Sequence, residues 1–359
     1  MLFYIIFLVF ISVVFLLGYF FPDKDKLLSF VVLVTIILIG GLRYGVGGDY
    51  NSYVSWYLYK TRDDDLEFGF VAIMELFRHF NLSPQVLFFL FSFFTYLFIY
   101  LGIKKYTIHV NTALLFYILI PTLFLTSLNL VRQSFSVSIS FYAFYYLLNK
   151  RYLVFSILML IGISIHNTCL IPLIAFIFVF KFVDEIKKKH LLILLIVSFF
   201  MAMLDCVRIF AAFFENTRYA FYFSNEQIPV NFFKIIILNC LSLLILFFYY
   251  DKLKIVSTYQ KYLLVLYFLS VVLINILSPF NDLSRIYTYF RVFEIIIVTD
   301  LIFLETNRKR VFLFSFFSFF YLSTFLIALK KDSEIQSQNR PKFTPYNNIL
   351  WSFNKLKTN

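Results

Sequence analysis

The chain has 359 residues, of which 61% are hydrophobic and 14% charged, and its formal net charge is +12. A soluble domain is about half apolar and about a quarter charged, and one could not hide 52 Phe and 26 Tyr without large exposed apolar patches. Soluble, disordered, fibrous and disulfide-framework classes are excluded, and the mean hydropathy of +0.84 points to an integral membrane protein.

Apolar runs of spanning character follow one another along the chain. The expected spans are 2–21, 27–42, 86–103, 112–126, 130–148, 152–165, 168–182, 190–206, 232–250, 261–279, 285–304 and 310–329. The fold class is therefore all-α: a polytopic membrane helix bundle of about 10–12 transmembrane helices with a structured outer loop. The first run begins at Leu2 without a basic leader, so no cleavable signal peptide is expected. Residues 1–329 read as one transmembrane domain and 330–359 as an irregular outer tail.

Orientation follows from the basic loops. With Lys24 and Lys26 in the cytoplasm, alternation places Lys104/Lys105, Lys150/Arg151, Lys187–Lys189, Lys252/Lys254/Lys261 and Arg308–Arg310 on the same side. That agreement requires span breaks near Thr126–Asn129 and at His166–Asn167. Positive-inside topology, not nucleic acid, then explains most of the basic excess. Loops 43–85 and 207–231 fall outside. They carry Tyr53, Trp56, Tyr57, Phe68, Phe70, Phe77, Phe210, Phe213 and Phe214 among polar residues and read as interfacial amphipathic helices. Arginine runs against the topological trend, with nine of twelve outside: Arg43, Arg62, Arg78, Arg132, Arg208, Arg218, Arg285, Arg291 and Arg340. A planar guanidinium binds phosphate oxygens in bidentate fashion, so this bias points to an anionic ligand on the outer face.

Polar constellations punctuate the outer ends of spans. The first is Gly41-Leu-Arg43-Tyr-Gly-Val-Gly-Gly-Asp49-Tyr50, a glycine-rich turn bracketed by a cation and a carboxylate. It lacks the context of a Walker loop or a dinucleotide fingerprint. The second is Glu67-Phe-Gly69-Phe70, where Glu67 suits a base, a sugar-hydroxyl ligand or a solvated helix-start charge. Arg132-Gln133 opens a span. Arg132 is the only charge between Lys105 and Lys150 and requires a partner or an escape to the interface. His166-Asn167 sits at a break between apolar runs, where a neutral imidazole is a candidate acid or base. Asn281-Asp282…Arg285…Tyr289…Arg291…Glu294 begins another span; Arg285 and Tyr289 are expected on one helical face, and Arg291 and Glu294 are spaced to pair. Cys169, Cys206 and Cys240 show no metal or disulfide spacing, and neither a metal nor a cofactor is expected.

Together these motifs resemble the EpsG/Wzy-type membrane polysaccharide polymerase family. The resemblance rests on Arg43-Tyr-Gly-Val-Gly-Gly-Asp49-Tyr50…Tyr53, Glu67-Phe-Gly69-Phe70, Arg132-Gln133, His166-Asn167, Arg218-Tyr219…Tyr222, Arg285…Tyr289 and Pro345-Tyr346. Gly48 directly before Asp49, and Phe68 where proline is common, depart from the pattern. The resemblance implies a GT-C-like, metal-independent glycosyltransferase. It would join oligosaccharide repeat units carried on polyprenyl diphosphate at the outer face of the bacterial cytoplasmic membrane. The implied partners are that lipid-linked oligosaccharide, the bilayer and, as a candidate, a chain-length regulator. Arg132 and Arg285, with Arg43 or Arg291, would face the diphosphate, joined by Gln133, Arg218 and Tyr289 as substrate-binding residues. Asp49, Glu67 or His166 would activate the acceptor hydroxyl. A glycan ligase shares the donor chemistry. A flippase would carry its charges along a mid-membrane path, for which Asp300 is the main candidate. An acyltransferase would place its His near the cytoplasmic side.

Overall fold

The computed structural model describes residues 1–60, 66–204, 231–278, 280, 283–335 and 343–350. The described chain is almost wholly helical. Six helices are long and apolar enough to cross a membrane: Leu2–Phe20, Pro22–Leu42, Pro84–Tyr106, Phe232–Leu253, Gln260–Leu277 and Asn307–Glu334. Shorter apolar helices cover Val110–Leu119, Tyr152–Ile165 and Asn167–Phe182. The protein is a polytopic helical membrane protein. Contacts gather the chain into two compact units, Met1–Leu170 with Asn307–Asn359, and Ile171–Thr306.

In the first unit the order is α1 (Leu2–Phe20), α2 (Asp25–Leu42), α3 (Tyr50–Tyr59), α4 (Phe68–His79), α5 (Pro84–Tyr106), α6 (Val110–Leu119), α7 (Phe124–Asn129), α8 (Val131–Leu148) and α9 (Tyr152–Ile165). Helix α5 is the centre, packed against α2 and α8, while α8 also packs on α9. Small residues permit these close approaches. A Cβ on Gly40 would meet the Tyr96 ring at 2.8 Å, and one on Gly41 would meet the Phe89 Cα at 3.1 Å. Between α8 and α9, Ser136 Oγ donates to the Gly162 carbonyl at 2.8 Å.

Loop 43–85 is helical where the sequence pointed to amphipathic helices. Helices α3 and α4 fill it, and Tyr50, Tyr53, Tyr57, Phe70 and Met74 join a buried cluster with α5 and α8 residues. Arg78 ties the two together, donating from Nε to the Tyr57 carbonyl at 2.8 Å and from NH2 to the Trp56 carbonyl at 2.9 Å. It caps the last turn of α3.

Two boundaries differ from expectation. The break expected at Thr126–Asn129 is found at Leu130, between α7 and α8, but an earlier one was not expected, where α6 ends at Leu119 and α7 begins at Phe124. Ile120 precedes Pro121 and is extended (φ −79°, ψ 103°), as a pre-proline residue prefers. The tail is also not irregular throughout. The last helix, Asn307–Ile335, runs past residue 330, and residues 343–350 dock back on the first unit. The break at His166–Asn167 is found as expected, between α9 and a 3-10 turn Asn167–Cys169.

The second unit contains α10 (Leu170–Phe182, from its second residue), α11 (Lys188–Met203), α12 (Phe232–Leu244), α13 (Gln260–Leu277) and α14 (Glu294–Leu304). A π-helical stretch, Ile245–Tyr249, prolongs α12 into a final turn, Tyr250–Leu253. Buried polar side chains join its helices. Asn275 Nδ2 donates to Ser198 Oγ at 2.9 Å, and Asn239 Nδ2 donates to Asn275 Oδ1 at 2.8 Å. Asp300 accepts from Gln260 Nε2. In a membrane bundle such bonds act as interhelical glue. Loop 207–231 lies outside the described residues, apart from Asn231.

Candidate functional site

Three candidate side chains of the first unit, those of Glu67, Arg132 and His166, come together at the Glu67 carboxylate. Glu67 is the N-cap of α4 and is extended (φ −65°, ψ 137°). Its carbonyl starts the helix, accepting from the amides of Phe70 (3.0 Å) and Val71 (3.1 Å). Its carboxylate turns toward two other elements. Oε1 accepts from His166 Nδ1 at 2.9 Å and from the Asn167 amide at 3.1 Å. Oε2 accepts from Arg132 NH1. One carboxylate thus joins the start of α4, the first turn of α8 and the break after α9.

Local sequence explains each placement. His166 is extended (φ −155°, ψ 112°) because the helix has stopped at Ile165, so its ring leaves the α9 cylinder. Gly69 lets α4 approach that break: a Cβ there would meet the Ser164 carbonyl at 2.8 Å. Arg132 is the second residue of α8. Its guanidinium carbon lies 5.4 Å from the centroid of Trp56, 6.0 Å from that of Tyr53 and 5.3 Å from that of Phe70. Three aromatic faces and one carboxylate therefore surround this cation, which offsets the cost of sheltering it. Its Nε is buried without a hydrogen-bond partner among the described residues.

The cluster is sheltered but not sealed: the side chains of Glu67, Arg132 and His166 are 10%, 16% and 21% exposed. Burial acts to raise the Glu67 carboxyl. The His166 hydrogen bond and the Arg132 charge outweigh it and hold the group down at about 2. Glu67 is therefore a carboxylate at neutral pH. An ionised carboxylate only accepts, so Nδ1 of His166 is the protonated nitrogen. In the neutral ring this leaves Nε2 as the acceptor.

Asp49 belongs to a neighbouring layer. It is the N-cap of α3, and its amide donates to Asn129 Oδ1 at 2.9 Å. Asn129 ends α7, three residues before Arg132, so the glycine turn rests on the chain leading into the Arg132 helix. Gly45 (φ +66°) and Gly47 (φ +106°) form the turn. A Cβ on Gly47 would meet the Asn129 Cα at 3.3 Å. Both positive φ values and this approach account for the glycines. Tyr53, one turn along α3, faces Arg132. Gln133 is buried beside Arg132 in the first turn of α8.

Arg43, expected as a contact to the diphosphate, is held by internal partners. It is only 1% exposed and donates from NH1 to the Gly40 carbonyl and to Ser92 Oγ (3.3 Å), and from Nε to the Val46 carbonyl (3.3 Å). Its guanidinium carbon lies 4.9 Å from the Phe88 ring centroid. These bonds tie the end of α2 to its own turn and to α5.

Arg285, Tyr289 and Arg291 belong to the second unit. The common face expected for Arg285 and Tyr289 does not form as an α-helical pair. Leu283–Tyr287 is 3-10 helix and the α-turn starts only at Thr288, which breaks the four-residue repeat. Arg285 is half-buried, and Tyr289 is fully buried. Arg291 pairs with Glu294 at 3.0 Å, with both side chains buried, as their spacing suggested. Arg218, Arg62, Arg208, Arg340, Asn281 and Asp282 lie outside the described residues. Among the described residues no three His, Cys, Asp or Glu side chains gather as a metal site.

Sequence reasoning named Glu67, Arg132 and His166 separately but did not join them. The separations of 65 and 99 residues carry no local signal. It also gave no role to Asn129, and it placed Tyr53, Trp56 and Phe70 in interfacial amphipathic helices without joining them to Arg132, which they surround.

The fold and this site define a polytopic membrane protein with a sheltered carboxylate–guanidinium–imidazole centre. Comparison with family models narrows the class: the EpsG family model matches residues 26–348, and the chain belongs to the EpsG family. That family is Wzy-type polysaccharide polymerase-like, which gives the protein a membrane polysaccharide polymerase-like function of glycosyltransferase character. No curated protein and no solved structure matches the chain.

Proposed function

We propose that the protein is a GT-C-like polymerase of the bacterial cytoplasmic membrane. It transfers a glycan chain from polyprenyl diphosphate to a hydroxyl of the next lipid-linked repeat unit, at the outer membrane face. The observation that carries this reading is the bridge of one ionised carboxylate, Glu67, between His166 and the caged Arg132.

His166 Nε2 takes the proton from the acceptor hydroxyl as its oxygen attacks the anomeric carbon of the donor chain. A new carbon–oxygen bond forms, and the bond from that carbon to the diphosphate oxygen breaks. The diphosphate leaves with the electron pair. Arg132 stabilises its growing charge, and a guanidinium suits this because it never loses its own proton. Glu67 holds the imidazole tautomer and balances the ring once it is charged. Asp49, on the neighbouring turn, binds an acceptor hydroxyl. Arg43 and Arg291 have internal partners and are left out of the phosphate set. The chain's own cations do this work, so the proposed reaction is metal-independent.

The test is the size distribution of lipid-linked and surface glycan in cells lacking the gene, complemented with wild type, Arg132→Ala or His166→Ala. The polymerase reading predicts single repeat units in the deletion strain, a ladder with wild type and no ladder with either variant. Long polymer retained on the lipid would make the protein a ligase. Repeat units trapped on the cytoplasmic face would make it a flippase.

A further inference from the structure

The C-terminal segment returns to the end of α2. Asp332, near the end of the last helix, accepts through Oδ2 from the amides of Phe343 (2.8 Å) and Thr344 (3.0 Å) and from Thr344 Oγ1 (3.2 Å). Tyr4 OH donates to the Phe343 carbonyl at 3.0 Å. The Tyr346 ring stacks on Phe3 with centroids 3.8 Å apart and planes 7° apart, and its hydroxyl donates to the Ile39 carbonyl at 2.8 Å. The Tyr44 amide donates to the Asn347 carbonyl at 3.0 Å, and Arg43 forms an antiparallel bridge with Asn348. Residues 343–350 therefore meet the first two residues of the glycine turn through a single isolated antiparallel bridge.

That turn is the one that carries Asp49. After Arg43 and Tyr44 come Gly45 and Gly47, both at positive φ and without side chains to stiffen them. The turn ends where the Asp49 amide meets Asn129, three residues before Arg132. It is fixed at its far end by Asn129 and at its near end by the tail and the buried Arg43. A tight turn rich in glycine has the most conformational freedom to lose, so an anchor at each end matters more here than in a rigid element. The sequence alone gave no reason to join residues some 300 positions apart.

We propose that residues 343–350 form a clasp that positions the Asp49 turn for acceptor binding, with Tyr346 as its principal positioning residue. The functional half of this statement rests on the polymerase reading. The structural half does not. Tyr346 touches neither substrate nor reacting atoms; it acts through Ile39, Arg43 and the turn.

Two readouts on the full-length protein in lipid vesicles separate these halves. The first is amide hydrogen exchange over residues 44–50. The second is the rate of glycan lengthening against the concentration of the lipid-linked repeat units that accumulate in a strain lacking the gene. Tyr346→Ala is expected to speed exchange at the turn and to raise the half-saturating concentration about fivefold, with the saturated rate within about twofold of wild type. Tyr346→Phe keeps the stack on Phe3 and loses the hydroxyl bond, so it falls between the two. Asp332→Asn weakens the base of the same segment and replaces Tyr346→Ala if that variant fails to accumulate. Unchanged exchange in these variants overturns the clasp. Faster exchange with an unchanged saturation curve overturns the positioning role. If wild type itself does not lengthen glycan, the polymerase reading fails, and the exchange result still decides the clasp.

Discussion

Glu67→Gln is the sharpest perturbation of the proposed site, because it removes a charge and almost no volume. The carboxylate accepts from three donors: His166 Nδ1, the Asn167 amide and Arg132 NH1. A carboxamide has one accepting oxygen, so its NH2 must face either the imidazole N–H or the guanidinium. Both arrangements set donor against donor. Arg132 also loses its counter-charge while 16% exposed and keeps only its aromatic cage. A hydrogen bond to a charged group contributes about 1.5–3 kcal/mol. If that contribution is expressed fully in the transition state, the saturated rate falls roughly 10- to 150-fold. The assay is glycan lengthening by the purified variant in vesicles, with a thermal melt run in parallel to confirm folding. A variant that folds like wild type and keeps more than half of its saturated rate would refute the reasoning that Glu67 orients His166 and balances Arg132.

Arg132→Lys keeps the cation but loses the planar fork and the stacking on Trp56 and Phe70; it is expected to lower the rate about tenfold or more, measured by lengthening kinetics. Gly69→Ala forces a Cβ to within 2.8 Å of the Ser164 carbonyl and pushes α4 from α9, so it should impair lengthening as Glu67→Gln does although no reacting group is touched. The pH dependence has a defined sign. The Glu67 carboxyl is held at about 2 in the folded protein against an ordinary value of 4.5, so its contribution is present above the ordinary value and fades as pH falls through about 2. Discounted for screening at a partly open site, that contribution is about 1–2 kcal/mol. The difference in melting temperature between wild type and Glu67→Gln should shrink as pH falls from about 4.5 toward 2.

Fold class was legible in the sequence because lipid imposes it: long apolar runs, Lys-rich loops and aromatic loop helices each have a direct compositional sign. The break at His166 was legible for the same reason, as a polar dipeptide between apolar runs. The additional break near Pro121 was missed because hydropathy stays high through Ile120–Leu123, while the pre-proline backbone is what ends α6. The residues of the site were individually legible as costly or unusual: a lone Arg in a span, a lone His at a break, a Glu before an apolar helix. Their union was not, since contacts between α4, α8 and α9 arise only when Gly69 and the serine-bearing face of α8 let the helices close. Arg43 shows the converse. Its glycine-flanked setting suggested an anion, but the guanidinium is met by the Gly40 carbonyl of α2 and the Val46 carbonyl of the turn. Pro345-Tyr346 was legible as a motif of the resemblance, but its docking was not, because a polar, proline-containing tail reads as irregular whether or not it docks.

The account stands most directly on whether this chain alone lengthens glycan through its Glu67-centred site. The measurement is the product size distribution when purified protein in vesicles receives only lipid-linked repeat units, compared among wild type, Glu67→Gln and His166→Ala. The account predicts a ladder of lengthened lipid-linked glycan with wild type and single units with both variants, each folded as judged by its melt. A ladder that persists in His166→Ala, or single units with active-fold wild type, would contradict it.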